Sequence, residues 1–220
     1  MARRDKQLGF EFRTHGGKRK GAGRKPAGRV AGISHTLRER ISGREPVHVT
    51  LKLGSGLPNL RGRTVLGLLR AIFGAACMRF GFRLNEFSVQ RNHLHLIAEA
   101  IDWRALSRGV KGLEVRVARA LNKLWKRCGR VFADRYHVRI LRAPLQVRNA
   151  LVYVLNNAKK HRATTQRFDE YSSAPWFTGW RGAAPACPSS DPPVASARTW
   201  LLRVGWLQHG RISPDEVPAS

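Results

Sequence analysis

The chain is short of acidic residues. Its 220 residues include 14 Asp and Glu against 41 Lys and Arg, which gives a formal net charge of +27 at pH 7. Self-repulsion at such a charge destabilises a compact protein, so the excess calls for a polyanionic partner. Nucleic acid is the commonest partner of this kind. The alternatives are binding to an anionic membrane surface and nonspecific adsorption.

Cysteine and long apolar runs are also scarce. Cys77, Cys128 and Cys187 are far apart and form no Cys-x-x-Cys pair, so neither a disulfide framework nor a structural zinc site is indicated. No segment approaches the ~20 apolar residues of a membrane-spanning helix, and the N-terminus has no apolar signal core. We therefore expect a cytoplasmic, nucleoid-associated protein without a membrane partner.

Composition divides the chain into three parts. Residues 1–44 are rich in Gly, Lys and Arg and lack hydrophobic periodicity, which predicts an arm that is disordered in isolation. Arg24 and Lys25 in this arm are predicted to bind phosphates, and a solubilising tail is the alternative. Residues 45–163 carry the periodic segments of one domain. Residues 164–220 form a tail with a Pro, Ala and Ser-rich linker, whose tryptophans we expect to dock onto the domain rather than stack on bases.

Hydrophobic periodicity predicts the order of elements in the central domain. Alternating segments at 47–53, 82–90, 90–99 and 137–141 are strands, and helices begin near residues 64, 106 and 144. The order strand–helix–strand–strand–helix–strand–helix is typical of an α+β, ferredoxin-like antiparallel sheet with helices packed on one face.

The strand Q-R-N-H-L-H-L-I-A-E, at residues 90–99, places two histidines on one face. His93, His95 and Ile97 share one parity, and the leucines between them share the other. Two imidazoles about 7 Å apart along a rigid strand form half of a divalent metal site. Glu99 has the same parity and is a further candidate ligand. Two ordinary surface histidines are the alternative.

The third predicted helix carries a tyrosine opposite its buried stripe. Asn149, Tyr153, Asn157 and Lys160 lie on one polar face. Its apolar stripe comprises Val147, Ala150, Leu151, Val154 and Leu155. If this helix covers the histidine strand, the Tyr153 oxygen is placed to attack a phosphodiester whose non-bridging oxygen a metal polarises. A partly exposed aromatic covering the helix edge is the alternative.

Basic residues follow the second helix and the fourth strand. Positive charge of one sign along a helix favours a surface that contacts phosphates, with a steep dependence of binding on salt. The predicted DNA contacts outside the arm are Lys111, Arg119, Lys123, Lys126, Arg127, Arg130, Arg139 and Lys160.

Several motifs together resemble a known family. They are H-V-T at 48–50, R-N-H-L-H-L-I-A-E at 91–99, the G-R…R-Y-H run at 129–137, Y-V-L-N-N at 153–157 and, more loosely, S-S-A-P-W at 172–176. Their order and spacing, over residues 46–163, resemble the HUH endonucleases with a single tyrosine. The branch they resemble most is that of the REP-associated tyrosine transposases.

This resemblance implies a metal-dependent endonuclease that cleaves and rejoins single-stranded DNA near a hairpin through a 5′-phosphotyrosine. It implies His93 and His95 as ligands of Mg²⁺ or Mn²⁺, Tyr153 as the nucleophile, and Asn157 as the third ligand or an orienting amide. Many members of the family are homodimers. The family commonly has Asn-Pro where this chain has Asn157 and Ala158, so the helix is expected to continue towards His161.

Two other functions are compatible with the same residues. One is a hairpin DNA-binding protein derived from the same domain that has lost cleavage. The other is a basic RNA-binding protein with incidental histidines. Every candidate catalytic residue is present, which favours the enzyme.

Overall fold

The structure is a computed structural model that describes residues 39–160, 166–182, 184–186 and 188–218. Its strands are β1 (Val47–Lys52), β2 (Met78–Arg79), β3 (Phe82–Val89), β4 (His93–Ala100) and β5 (His137–Ile140). Its helices are α1 (Arg63–Ala76), α2 (Trp103–Leu124), α3 (Pro144–Lys160) and α4 (Trp200–Arg203), with 3₁₀ turns at Ala174–Trp176 and Gly205–His209. The strands form one antiparallel sheet in the order β2-β3-β4-β1-β5. The predicted α+β fold with an antiparallel sheet is confirmed.

One face of the sheet is apolar because the strands alternate. Val49 of β1 pairs with Leu96 of β4, and Leu51 pairs with Leu94, so their side chains lie together in the core. Helices α1 and α2 cover this face through residues such as Phe73 and Leu113. This is the face on which helices were predicted to pack.

The opposite face is polar near the histidines and is covered by α3. Ile97 belongs to a second apolar cluster with the buried residues of α3, including the whole predicted stripe of Val147, Ala150, Leu151, Val154 and Leu155. Trp180 and Trp206 of the tail join the same cluster, so α3 is covered on its outer side as well. Helix α3 therefore lies between the sheet and the C-terminal segment.

Strand β2 and the turn after it were not predicted. The first helix ends at Ala76, and Met78 and Arg79 pair with β3. Phe80 and Gly81 adopt φ of 49° and 78°, the left-handed region that reverses the chain direction. The positive φ strains any residue with a Cβ at position 81, and that Cβ would also displace the exposed Ile101 side chain, whose Cδ1 lies 2.6 Å away.

The last described residues are anchored to the domain by hydrogen bonds. The Asn156 amide nitrogen donates to the carbonyls of Ser213 and Glu216, at 3.1 and 2.8 Å. Arg148 donates to both carboxylate oxygens of Glu216, at 2.7 and 2.9 Å. In the described part of the chain, no helix combines the length and apolar character needed to cross a bilayer.

Candidate active site

Strand pairing brings three histidines and one tyrosine together on the polar face. Thr50 lies opposite His95 and His48 lies opposite Ile97, because β1 pairs antiparallel with β4. The rings of His93 and His95 are stacked, with centroids 6.1 Å apart and planes 6° apart. The ring of His48 lies 5.4 Å from that of His95.

Tyr153 reaches this cluster from α3. Its ring meets that of His95 edge-on, with centroids 5.1 Å apart and planes at 89°, and lies 5.6 Å from the ring of His48. The apolar neighbours of Tyr153 on the helix, Val154 and Leu151, are buried. Burial of that stripe sets the rotation of α3 and hence the direction in which the tyrosine points.

An oxygen atom lies beside the Nδ1 atom of each metal-candidate histidine. Asn92 Oδ1 lies 2.6 Å from His93 Nδ1, and an amide oxygen only accepts, so the proton lies on Nδ1. Thr50 Oγ1 lies 3.3 Å from His95 Nδ1. With the proton on Nδ1, the Nε2 atom carries the lone pair that binds a metal, which is the arrangement seen around ligating histidines in general.

His48 is held neutral beneath Tyr153. Burial, helped by the positive charges of His137 and Arg139, lowers the pKa of His48 to about 4. Its Nε2 atom is buried and has no hydrogen-bond partner among the described residues. At neutral pH this ring therefore adds no charge to the site.

A cleft of about 1030 Å³, called here the histidine cleft, opens in front of the two histidines. Its lining is polar and basic, as a site for a nucleic-acid strand requires. The lining residues are Thr50, Asn59, Arg61, Gln90, Arg91, Asn92, His93, His95, His137, Tyr153 and Tyr171.

Arg61 is fixed in the wall of the histidine cleft. Its guanidinium donates to both carboxylate oxygens of the buried Asp169, at 2.7 and 3.0 Å, and to the carbonyl of Val89 at 2.9 Å. It also stacks 4.4 Å from the ring centre of Tyr171. This paired, stacked arginine ties the tail residues 169–171 to the edge of the site.

Tyr153 and the two predicted histidines converge, whereas Glu99 does not reach them. Glu99 lies four residues beyond His95, roughly 13 Å along the strand. Its carboxylate accepts hydrogen bonds from Thr199 N and Oγ1, both at 2.7 Å, and from Arg198 N. In this structure Glu99 therefore anchors the start of α4, and its role as a metal ligand stays a prediction.

Asn157 is fully buried and lines neither this cleft nor the one described below. The predicted polar face of α3 is therefore not exposed at this position. Both polar atoms of its amide lack a hydrogen-bond partner among the described residues. An unsatisfied buried amide costs about 1–3 kcal/mol, which a ligand bound beside it would offset. Its role as third ligand stays a prediction.

The donor chemistry fits a weakly held divalent cation. No three His, Cys, Asp or Glu side chains cluster to hold a metal within the described ranges. The candidate ligands are the imidazoles of His93 and His95, whose Nδ1 atoms face oxygen atoms, and the amide of Asn157, which lacks a hydrogen-bond partner among the described residues. This ligand set is incomplete and uncharged. Such a set leaves positions for the oxygens of a substrate phosphate.

The predicted DNA contacts fall in different places. Arg139, exposed on β5, lies beside the site. Residues of α2 lie across the sheet from Tyr153, because α2 packs on the apolar face. Those that are exposed there are Lys111, Arg119 and Lys123, and the exposed Lys126 follows the end of the helix. Arg127 donates to Asn122 Oδ1 and to the carbonyl of the exposed Arg130. Arg24, Lys25 and the side chain of Lys160 lie outside the described residues.

Several site residues were not assigned a role from the sequence. Thr50, Asn92 and Arg61 contact or border the histidines, and His48 contacts Tyr153. The alternation of the first strand in the sequence places His48 and Thr50 on the side opposite its apolar residues. The pairing of β1 with β4 was not, because the two strands are separated by a helix and two other strands.

Part of the chain matches a known protein family, and its fold is similar to that of a solved structure. Residues 59–157 match the family described as "Transposase IS200 like". A solved REP-associated tyrosine transposase bound to a REP hairpin is 18% identical, with a TM-score of 0.52 over 64% of this chain and 82% of that chain. A transposase candidate from Deinococcus radiodurans R1 is 16% identical, with a TM-score of 0.37 over 50% of this chain and 85% of that chain. No curated protein matches the chain. Residues 59–157 therefore match the IS200-like transposase family, and the chain shares the α+β fold of the REP-associated tyrosine transposase.

Proposed function

We propose that this protein cleaves and rejoins single-stranded DNA at hairpin-associated sites, with Tyr153 as the nucleophile. The observation that carries the proposal is the edge-on contact of the Tyr153 ring with His95, beside the stacked ring of His93. A helix and a strand that are distant in sequence thereby place a phenol over a pair of potential metal ligands. The family match to IS200-like transposases supports the same reaction class.

The reaction is a transfer of a phosphoryl group to the phenol. The Tyr153 oxygen forms a bond to phosphorus, the bond to the 3′ oxygen breaks, and the products are a 5′-phosphotyrosine and a 3′ hydroxyl. The phenol loses its proton, and the departing 3′ oxygen takes one up. Rejoining is the same exchange in reverse, with a 3′ hydroxyl attacking the phosphotyrosine.

A phenol is a weak nucleophile at neutral pH because its ordinary pKa is about 10. His93 and His95 would hold Mg²⁺ or Mn²⁺, with Asn157 as a further ligand. When bound, the cation supplies Lewis-acid polarisation of the phosphate. The protein's own contribution is to orient the phenol, since α3 is packed on both sides, and to keep His48 uncharged beneath it.

Hairpin-bearing single-stranded DNA is the proposed substrate. The net charge of +27 favours a polyanion, and the related structure contains a REP hairpin. Arg61, Arg91 and His137 in the histidine cleft, and Arg139 next to it, are placed to contact the strand. The basic arm and the exposed lysines of α2 would add contacts to phosphates outside the cleft.

The test is covalent capture. Labelled hairpin DNA from the flanks of the protein's own gene is incubated with Mn²⁺ or with EDTA, and the products are separated under denaturing conditions. We expect a Mn²⁺-dependent protein–DNA adduct that disappears in Tyr153→Phe and in His93→Ala, while Tyr153→Phe still binds the hairpin. Tight binding without an adduct on any hairpin would instead identify a non-catalytic hairpin-binding protein.

A further inference from the structure

A second cleft lies on the other side of Tyr153. It has a volume of about 520 Å³, and we call it the amide cleft because Gln146 and Asn149 lie in its wall. Thr50, His137 and Tyr153 line both this cleft and the histidine cleft. Tyr153 therefore stands at the junction of two adjoining spaces, so a strand whose phosphate meets the phenol has a neighbouring nucleotide on each side.

We propose that the amide cleft binds one unpaired nucleobase next to the cleaved phosphate, and that Asn149 reads its identity. This proposal rests on the proposed function, since it assumes that a DNA strand passes Tyr153. It adds a determinant of sequence specificity within the protein, close to the reacting phosphate.

Asn149 is placed and available for this contact. It lies one helical turn before Tyr153 on the same face of α3, a separation of about 6 Å between Cβ atoms. Its side chain is exposed and makes no hydrogen bond to the described residues, so its amide offers both a donor and an acceptor. Gln146 differs, because its Oε1 already accepts a hydrogen bond from Arg142 N at 2.8 Å, which engages part of its capacity to accept.

An amide with both functions matches adenine on the edge of the base that carries N7. On that edge, asparagine and glutamine pair with adenine through one donated and one accepted hydrogen bond, whereas guanine presents two acceptors and favours arginine or lysine. The volume of the cleft lies in the range of small-molecule pockets, which suits a single nucleotide rather than a duplex. We therefore expect adenine as the preferred base.

The charges around the amide cleft are compatible with a phosphate backbone. Arg139 lies opposite His48 in the sheet and is exposed in the cleft wall. Glu216 is the acidic residue of the lining, and its carboxylate is paired with Arg148, whose hydrogen bonds lower the pKa of Glu216. This ion pair reduces the repulsion that the carboxylate exerts on DNA.

The experiment measures base preference by binding and by cleavage separately. A pool of hairpins with randomised unpaired flanks is sorted by the Tyr153→Phe protein, and the bound fraction is sequenced. We expect enrichment of adenine at one flank position. A good bidentate contact is worth about 1–3 kcal/mol, so replacing that adenine should weaken binding roughly tenfold. The wild-type protein should show the same preference in adduct formation.

The decisive comparison uses Asn149→Leu, with Asn149→Ser as a second variant and Gln208→Leu as the matched control. Gln208 is an exposed amide that lines neither cleft. Asn149→Leu and Asn149→Ser should lose the adenine preference while still binding hairpins, and Gln208→Leu should keep it.

An adenine preference that persists in both Asn149 variants would overturn the proposal. The proposal is also overturned if the Tyr153→Phe protein shows no base preference or does not bind hairpins. Failure of the proposed function looks different: the wild-type protein then forms no adduct, whereas the binding preference and its loss in the Asn149 variants are still measured.

Discussion

The imidazole of His95 and the phenol of Tyr153 lie 5.1 Å apart, ring centre to ring centre, with their planes at 89°. This contact joins β4 to α3 at the point where the histidine cleft and the amide cleft meet. His95 is itself held by the Thr50 hydroxyl on the neighbouring strand. Any change that rotates the His95 ring is therefore expected to alter both the metal site and the position of the nucleophile.

Replacement of Thr50 by valine should weaken metal binding without unfolding the protein. The valine keeps the shape but removes the hydroxyl beside His95 Nδ1, so the ring loses a hydrogen-bond partner that holds its orientation. Loss of such a partner typically costs 10–100-fold in metal affinity, and we expect the Mn²⁺ concentration for half-maximal adduct formation to rise about tenfold. Direct Mn²⁺ titration by electron paramagnetic resonance should show the same shift.

Thr178→Val, at an exposed position outside both clefts, is the control. Equal Mn²⁺ requirements in the two variants would contradict the assignment of Thr50 as the residue that supports His95.

Acid should destabilise the fold through His48. Its pKa is about 4 in the folded protein against 6.5 as the ordinary value, so the unfolded state takes up a proton first as the pH falls. Stability from the neutral ring is complete above pH 6.5 and is lost towards pH 4. Between pH 7 and pH 5 the loss is about 2 kcal/mol. In urea titrations with EDTA present, His48→Phe should show a smaller fall in the free energy of unfolding over this range. An unchanged pH dependence in the variant would exclude the buried neutral histidine.

Glu86 should have the opposite effect at higher pH. Burial raises the pKa of its carboxyl to about 8, although the hydroxyl of Ser173, which donates a hydrogen bond to it, acts to lower the pKa. The stability that the protonated carboxyl contributes is full below pH 4.5 and is lost as the pH rises towards 8. Glu86→Gln imitates the protonated acid, so it should match the wild type near pH 4.5 and exceed its unfolding free energy at pH 8 by on the order of 4 kcal/mol. Denaturant titrations at the two pH values measure this difference. If the variant is less stable than the wild type at pH 8, Glu86 is ionised in the folded protein and the prediction is wrong.

Two glycines of α2 should respond to alanine in opposite directions. A Cβ on Gly109 would lie 2.2 Å from the ring atom Cγ of the buried Phe82, whereas a Cβ on Gly112 would meet only Arg116 Nη1 at 3.9 Å. Alanine in a helix interior is favoured over glycine by about 0.5–1 kcal/mol, but forcing a methyl group into a packed core costs about 1–3 kcal/mol. Gly112→Ala should therefore raise the melting temperature and Gly109→Ala should lower it. If both variants were stabilised, Phe82 would not pack against α2 as the structure shows.

The sequence by itself determined the local chemistry of this protein. Alternation along β4 put His93 and His95 on one face, because a strand has a period of two residues. Helical periodicity put Tyr153 on the side of α3 away from the stripe of Val154 and Leu151. The charge of +27 and the order of the motifs indicated a DNA-acting transposase, and the family match confirms the transposase family of the domain.

Only the tertiary structure decided which of these residues meet. The pairing of β1 with β4 brings Thr50 beside His95, and it depends on contacts between strands that no local pattern encodes. Glu99 has the parity of the histidines, yet it binds the backbone at residues 198 and 199 because the tail returns to that end of β4. Asn157 is fully buried, although it shares a face of α3 with the partly exposed Tyr153. Periodicity within an element fixes the direction of a side chain, whereas its partners depend on which distant segments pack against that element.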